Sequence, residues 1–501
     1  MKQRYLLSGI GIATAIVLAG CSTTAPDSSG GGADSDATIT IGSSYEPQNL
    51  DNTAGGGQGV SEALNGNVYE GLFTLTDKGE VVNGLASDFT KSDDGLTYTF
   101  TLQKDVKFHS GDPLTATDVK YSIDRVRAET SKSSRKSTFD NVKTIATPDD
   151  STVVITLTSK SISLPYNLSY VWIMNDALKD PTTAEDGTGP YKLGTWKRGS
   201  SLSLERDADY WGTAAKNKEV VFTYFTDATA LNNALLTNAV DIVTSVQSPD
   251  AIPQFENNAD YKVNDGDSTT KEVLAYNDRV APFNNVKVRQ AISAAIDKKK
   301  LLTSVWGDYG TLIGSFVPPT DPWYEDLNSV NAYDPAKATA LLADAGYPKG
   351  FEFTLDTPDY DPHPIVAEFL KSELAKVGIT VTINTITADE WYTKVYQKLD
   401  FQATLQEHVN HRDIVFYGNP DFYWGYNNPK VTTLIDQSET SDTTDEQTAK
   451  LKEANEIIAN DAASGWLYLY PQIVVAASNV TGYPLNGINS QFFAFNITKS
   501  A

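Results

Sequence analysis

The unbroken apolar run Val273-Leu274-Ala275-Tyr276 constrains this chain more than any other stretch. A strand with one wet face alternates polar and apolar residues; a run without alternation suits a strand covered on both faces, as in a sheet with helices on either side, and a buried helical turn is the other reading. Pro282 breaks the chain behind it. From Val286 onward, Val288, Ala291, Ile292, Ala295, Ile296 and Leu302 recur at helical spacing, which predicts one amphipathic helix. Asn284 or Asn285 is available as its N-cap, and Lys298–Lys300 stand near its negative end. A strand and a helix of this kind near the midpoint of 501 residues place the chain in the α/β class, and the length calls for two or three lobes.

The charge, −24 from 64 acids and 40 bases, makes nucleic acid a poor partner and suits a soluble surface outside the cell. At the N-terminus, Lys2 and Arg4 precede the apolar stretch Leu6–Ala19, too short to span a bilayer but suited to a secretory leader over residues 1–20. Leu18-Ala19-Gly20-Cys21 matches a lipobox. Cys21, the one cysteine of the chain, is therefore expected to be lipidated rather than to serve as a core residue, and no disulfide can form within the chain. The segment that follows, to residue 37, is rich in Ser, Thr, Gly, Ala and Asp and reads as a flexible tether.

Further on, Asp94-Gly95 marks a turn, and Tyr98, Phe100 and Leu102 alternate with Thr97, Thr99 and Thr101 to predict a hairpin. Thr115 and Asp118 form a variant capping box before a helix over 117–127. Several longer phrases accompany these signals: Glu46-Pro47-Gln48-Asn49-Leu50-Asp51, Val68-Tyr69-Glu70-Gly71-Leu72, the stretch from Gly189-Pro190-Tyr191 to Tyr210-Trp211-Gly212, and Val288-Arg289-Gln290-Ala291 within the midpoint helix. In this order they resemble the bacterial family 5 solute-binding proteins, the peptide-binding and nickel-binding receptors of ABC importers.

That resemblance implies a two-lobed periplasmic-binding-protein-like α/β fold of the large type II form, which closes on a cleft by hinge motion. It places lobe I at 38–272 with an accessory subdomain at about 73–187, lobe II at 273–472, and a return to lobe I at 473–501. It also implies a monomer tethered to the membrane only through its lipid, which hands a ligand to permease subunits and needs no cofactor. His109 in its turn and Arg289 in its helix are expected to be structural. The chain has neither G-x-x-x-x-G-K-[ST] nor G-x-S-x-G, in keeping with a binder rather than an enzyme.

Peptide-binding relatives hold a ligand amine with an acid in a Trp-x-x-Asp segment of the second lobe. The corresponding region, Leu405–Pro429, lacks that tryptophan. Within it Asp413 could receive an amine, Arg412 a carboxylate, and Tyr423, Trp424 and Tyr426 could wall the site; a surface pair and core aromatics are the other reading. His408 and His411 would share a face on a helix and could hold nickel or a metal chelate, or play ordinary polar roles. Tyr45, Glu46, Tyr69 and Trp172 are first-lobe candidates by analogy. The expected ligand is a short peptide, with an oligosaccharide or a nickel chelate as the alternative. A carboxylate-dependent hydrolase using Asp359 and Asp361 is a remote one, because the flanking Pro358 and Pro362 make that segment a turn.

Overall fold

A computed structural model describes residues 34–55, 57–246 and 249–500 of the chain. The expected leader, Cys21 and most of the tether lie outside them. Two sheets organise two lobes. The first has seven strands in the order Tyr261–Gly266, Gln472–Ala477, Ile242–Val243, Thr38–Ser43, Glu219–Tyr224, Ser201–Arg206 and Tyr191–Lys197. Thr38–Ser43 runs parallel to both neighbours, Glu219–Tyr224 and Ile242–Val243. Parallel neighbours need a long crossover, and the chain uses that excursion to build a separate four-stranded antiparallel sheet. There the Thr97–Leu102 strand buries Tyr98, Phe100 and Leu102 against the Ala116–Arg127 helix. That helix starts where the sequence predicts, with Asp118 Oδ2 accepting from the Thr115 amide at 2.9 Å and from its hydroxyl at 2.7 Å. His109 is tied down by Glu185 (2.7 Å) and the Gly189 carbonyl (2.9 Å), a structural position.

The second sheet has the order Thr380–Ile386, Glu352–Pro358, Ala403–His408, Lys271–Tyr276 and Ser464–Leu469. Lys271–Tyr276 is antiparallel to both neighbours and all six of its residues are buried. Val273 and Ala275 enter one core with Trp424 and Trp466, while Leu274 and Tyr276 enter the other beneath the Val286–Ala295 helix. This two-sided cover is what an unalternating run requires.

The single helix expected after Pro282 is two. Asn285 caps Val286–Ala295 through its side chain, but Ile296 leaves helical geometry and Asp297 Oδ1 accepts from the Lys300 amide at 3.0 Å to start a second helix, Lys298–Trp306. Lys298–Lys300 therefore open a helix rather than close one; a local N-cap outcompetes continuation of the apolar stripe. Arg289 anchors the first helix by donating to the carbonyls of Phe283 (2.8 Å), Asp461 (3.2 Å) and Ala462 (3.3 Å).

The chain passes between the sheets twice, from Gly266 to Lys271 and from Leu469 to Gln472. At the first passage the backbone of another segment comes so close that a Cβ on Gly266 would lie 1.9 Å from the Leu485 carbonyl oxygen. Gly266→Ala is expected to cost about 1–3 kcal/mol, measured by urea denaturation; an unchanged midpoint would show that the 485 loop gives way freely.

Candidate functional site

The two passages form the floor of a cavity with about 810 Å³ of empty space, its mouth included. Ser268 and Thr270 come from the first passage, and Tyr470 and Gln472 from the second. Tyr45 and Glu62 line the first-lobe wall; Trp306, Asp361 and Glu407 line the second. Trp306 meets Tyr470 edge to face, ring centroids 5.7 Å apart. Among the described residues no Lys, Arg or His lines this cavity, whereas three carboxyl groups do.

The acids arrive from separate elements. Glu62 lies on the short helix Gly57–Leu64, is 7% exposed, and accepts a bond from the Ser43 hydroxyl at the end of the central first-lobe strand. Burial pushes its carboxyl up to about 7, against the lowering effect of the Ser43 and Thr244 hydroxyls. Glu407 stands directly opposite Glu272 across paired strands. Burial raises Glu407, His363 opposes that, and the nearby charge of Glu272 adds to it. Behind the wall Glu272 is fully buried, accepts from the Tyr470 hydroxyl and has His363 Nε2 at 3.7 Å. Its carboxyl is pushed up to about 8 by burial, while burial pulls the His363 imidazole below its ordinary value. A wall of carboxyls short of cations is matched to an incoming cation, which restores the stabilisation of the charged form lost on burial.

The residues singled out from the sequence are scattered. Of the ligand-contact candidates Tyr45 alone lines the hinge cavity, joined there by Asp361, which the sequence offered only for a hydrolase. Glu46 accepts from Trp196 Nε1 (3.0 Å) and the Gly199 amide (2.8 Å), so its carboxylate fastens a hairpin turn. Tyr69 is buried and stacked on Trp172 at 5.0 Å, and Trp172 donates to Asn65 (3.0 Å) beside the small first-lobe pocket that holds Tyr170 and Asn489. Tyr423, Trp424 and Tyr426 are 2%, 0% and 3% exposed and belong to a second-lobe core, with Trp424 stacked on Tyr417 at 4.4 Å. None of the three lines the hinge cavity.

His408 and His411 do not share a helix face. His408 ends a strand, contacts the Tyr423 hydroxyl at 2.9 Å and is pushed down to about 3 by burial and then by Lys271. His411 contacts Asp321 at 2.9 Å. Asp413 does not pair with Arg412 on a surface; it is buried against Lys271 Nζ at 2.9 Å. Arg412 lies at the lobe seam with its Nη2 3.4 Å from the Gly79 carbonyl.

Glu62, Trp306 and Tyr470 are not among the residues that the sequence singles out. The available signal was the acid at 272 inside a strand whose neighbours demand burial on both faces, followed by the matching acid at 407.

Comparison with known proteins gives a consistent picture. A family model described as Bacterial extracellular solute-binding proteins, family 5 Middle, matches residues 80–409. Glutathione-binding protein GsiB of Salmonella choleraesuis is 28% identical over 486 residues, covering 89% of this chain and 91% of that protein. Among solved structures, the binding protein AgaA of A. tumefacien R10, in complex with agropinic acid, is 25% identical with a TM-score of 0.78 and covers 93% of this chain and 99% of its own. DppA of Helicobacter pylori, in complex with the peptide STSA, is 23% identical with a TM-score of 0.77, over 93% and 98%.

Proposed function

Because the chain belongs to the bacterial extracellular solute-binding proteins of family 5, we propose that it captures a short peptide between its lobes and delivers it to the permease of an ABC importer. The observation that carries this reading is the hinge cavity, whose Glu62, Asp361 and Glu407 offer negative charge to an ammonium group. A free peptide N-terminus supplies such a cation, and the Ser, Thr and Gln side chains around it supply hydrogen bonds to a ligand backbone. The relative GsiB is named for glutathione, a tripeptide, which makes glutathione the first ligand to try.

The two passages between the sheets support lobes at 38–272 and 273–472, an accessory subdomain at about 73–187 and a return segment at 473–501 that hinge about 266–271 and 469–472. Leu18-Ala19-Gly20-Cys21 supports a receptor held to the membrane through a lipidated Cys21.

Calorimetric titration tests the ligand class. Peptides with a free N-terminus are expected to bind more tightly than their N-acetylated forms. Glu407→Gln should remove about tenfold of that difference. Affinity should fall as pH drops from 8 to 6, because Glu62 takes up a proton near 7. Binding of an oligosaccharide or a nickel chelate with no peptide binding would overturn the peptide assignment.

A further inference from the structure

A groove with about 1710 Å³ of empty space, its mouth included, lies on the first lobe and shares no residue with the hinge cavity. Its walls are the hairpin of Phe73–Leu75 and Val81–Asn83, the turn from Tyr210 to Ala214, and the stretches 482–484 and 493–496. Every lining residue lies outside 271–469, so the second lobe takes no part in it. Five aromatic side chains along the groove, Tyr210, Trp211, Tyr483, Phe493 and Phe495, are only half-buried.

These rings are held in place. Glu70 accepts from the Tyr210 hydroxyl (2.8 Å), from Trp211 Nε1 (2.9 Å) and from the Thr188 hydroxyl (2.9 Å). On the opposite wall Phe493 packs so closely on Gly66 that a Cβ there would lie 2.4 Å from the ring. Asn264 donates to the Tyr483 hydroxyl at 3.0 Å. An acid, a glycine and an amide that fix half-exposed rings make a preorganised aromatic surface, which a ligand can meet without ordering it first.

Among the described residues no Lys, Arg or His lines the groove, while Glu70 and the exposed Asp77 do, so its charge opposes an anionic ligand. Thr74, Asn83, Thr213 and Asn496 stand among the rings. An acyl chain would strip water from these polar groups and offer them no partner. A sugar ring offers an apolar C–H face to an aromatic ring and hydroxyls to the amides and carboxylates around it. The described chain also begins on this face: the Asp34 amide donates to the Lys499 carbonyl (3.0 Å), and Lys499 pairs with Val480, two residues before Gly482 in the groove. Twelve residues separate Asp34 from Cys21. If Cys21 is lipidated, this face stays within about 45 Å of the membrane, within reach of envelope glycans. We propose that the groove is a second binding site, for a neutral glycan chain, with sugar faces on Trp211 and Phe495 and sugar hydroxyls on Asp77 and Asn496. Its placement near the membrane rests on the lipid-anchor reading; its chemistry does not.

The test titrates the full chain with triacetylchitotriose and with maltotriose, both neutral, by calorimetry and tryptophan fluorescence. At least one should bind, and Trp211→Ala should weaken that binding about tenfold while Trp211→Phe, which keeps a ring, retains most of it. Asp77→Ala and Asn496→Ala, at exposed positions, should each weaken it about threefold at an unchanged urea midpoint; they decide the matter if Trp211→Ala does not fold. Excess glutathione should leave the sugar affinity unchanged. Failure of the wild type to bind either trisaccharide, or binding that survives Asp77→Ala and Asn496→Ala combined, overturns the site. Displacement of the sugar by glutathione would place it in the hinge cavity and overturn the site as well. Binding of palmitate or of a peptide that Trp211→Ala abolishes, with no sugar bound, overturns the glycan class. Mass spectrometry that finds Cys21 without acyl chains removes the anchor reading alone, and the titration still decides the groove.

Discussion

Lys271→Met is expected to destabilise the protein by about 3–5 kcal/mol at pH 8, read as a lower urea midpoint at unchanged slope. Lys271 is 0% exposed in the strand that enters the second lobe, and its ammonium donates to Asp413 Oδ1 (2.9 Å) and the Asn410 carbonyl (2.8 Å) while lying 4.7 Å from the Phe316 ring centroid. Methionine fills most of the space. It leaves Asp413, 2% exposed and with Oδ2 already lacking a partner, as an uncompensated buried carboxylate. Burial pushes the Asp413 carboxyl up to about 7 against the opposing effect of Lys271, so without the lysine the group moves higher still and the folded state takes up a proton. The cost should therefore shrink at pH 5, where protonation removes the stranded charge. Removing both partners in Lys271→Met with Asp413→Leu should recover most of the loss, because an apolar pair of similar bulk replaces the ion pair. A single variant within 1 kcal/mol of wild type at pH 8 would show that water reaches Asp413 and that the pair carries little.

This pair also shows what the chain discloses before it folds. Val273 to Tyr276 announce a doubly covered strand, and the structure supplies two cores for them. The alternation over 97–102 likewise becomes a strand with one buried face. Period is a local property and survives translation into structure. Side-chain partnership is not local: Lys271 meets Asp413, and Glu62 shares a cavity with Glu407, only because two short passages bring the lobes together. The i, i+3 spacing of His408 and His411 had meaning on a helix, but a strand end and a loop send them to Tyr423 and Asp321. The aromatics 423, 424 and 426 look like a ligand wall in sequence; they pack instead against Phe316, Tyr417 and Trp466, because a second-lobe core needs that volume.

The second large effect is expected from pH. Glu272 is fully buried with a carboxyl pushed up to about 8, so the folded protein holds a proton that the unfolded chain releases near 4.5. The stability this proton contributes is complete below about 4.5 and is lost as pH rises towards 8, on the order of 4 kcal/mol in all. Glu62, near 7, and Asp278, near 8, act in the same direction. Wild-type unfolding free energy should accordingly fall between pH 5 and pH 8. Glu272→Gln replaces the protonated acid with a neutral group of the same shape, still able to accept from the Tyr470 hydroxyl. The variant should match wild type at pH 5 and exceed it by several kcal/mol at pH 8, measured by urea titration at each pH. Parallel curves for the two proteins would mean that Glu272 is ionised throughout, stabilised by His363 at 3.7 Å. The consequence for capture follows from the same linkage. A ligand ammonium seated by Glu407 and Glu62 favours the charged carboxyls, so saturating peptide should flatten the wild-type pH slope from the alkaline side. The stability withheld by the empty acidic cavity at pH 8 is then returned on binding, which couples closure of the lobes to the presence of a cation between them.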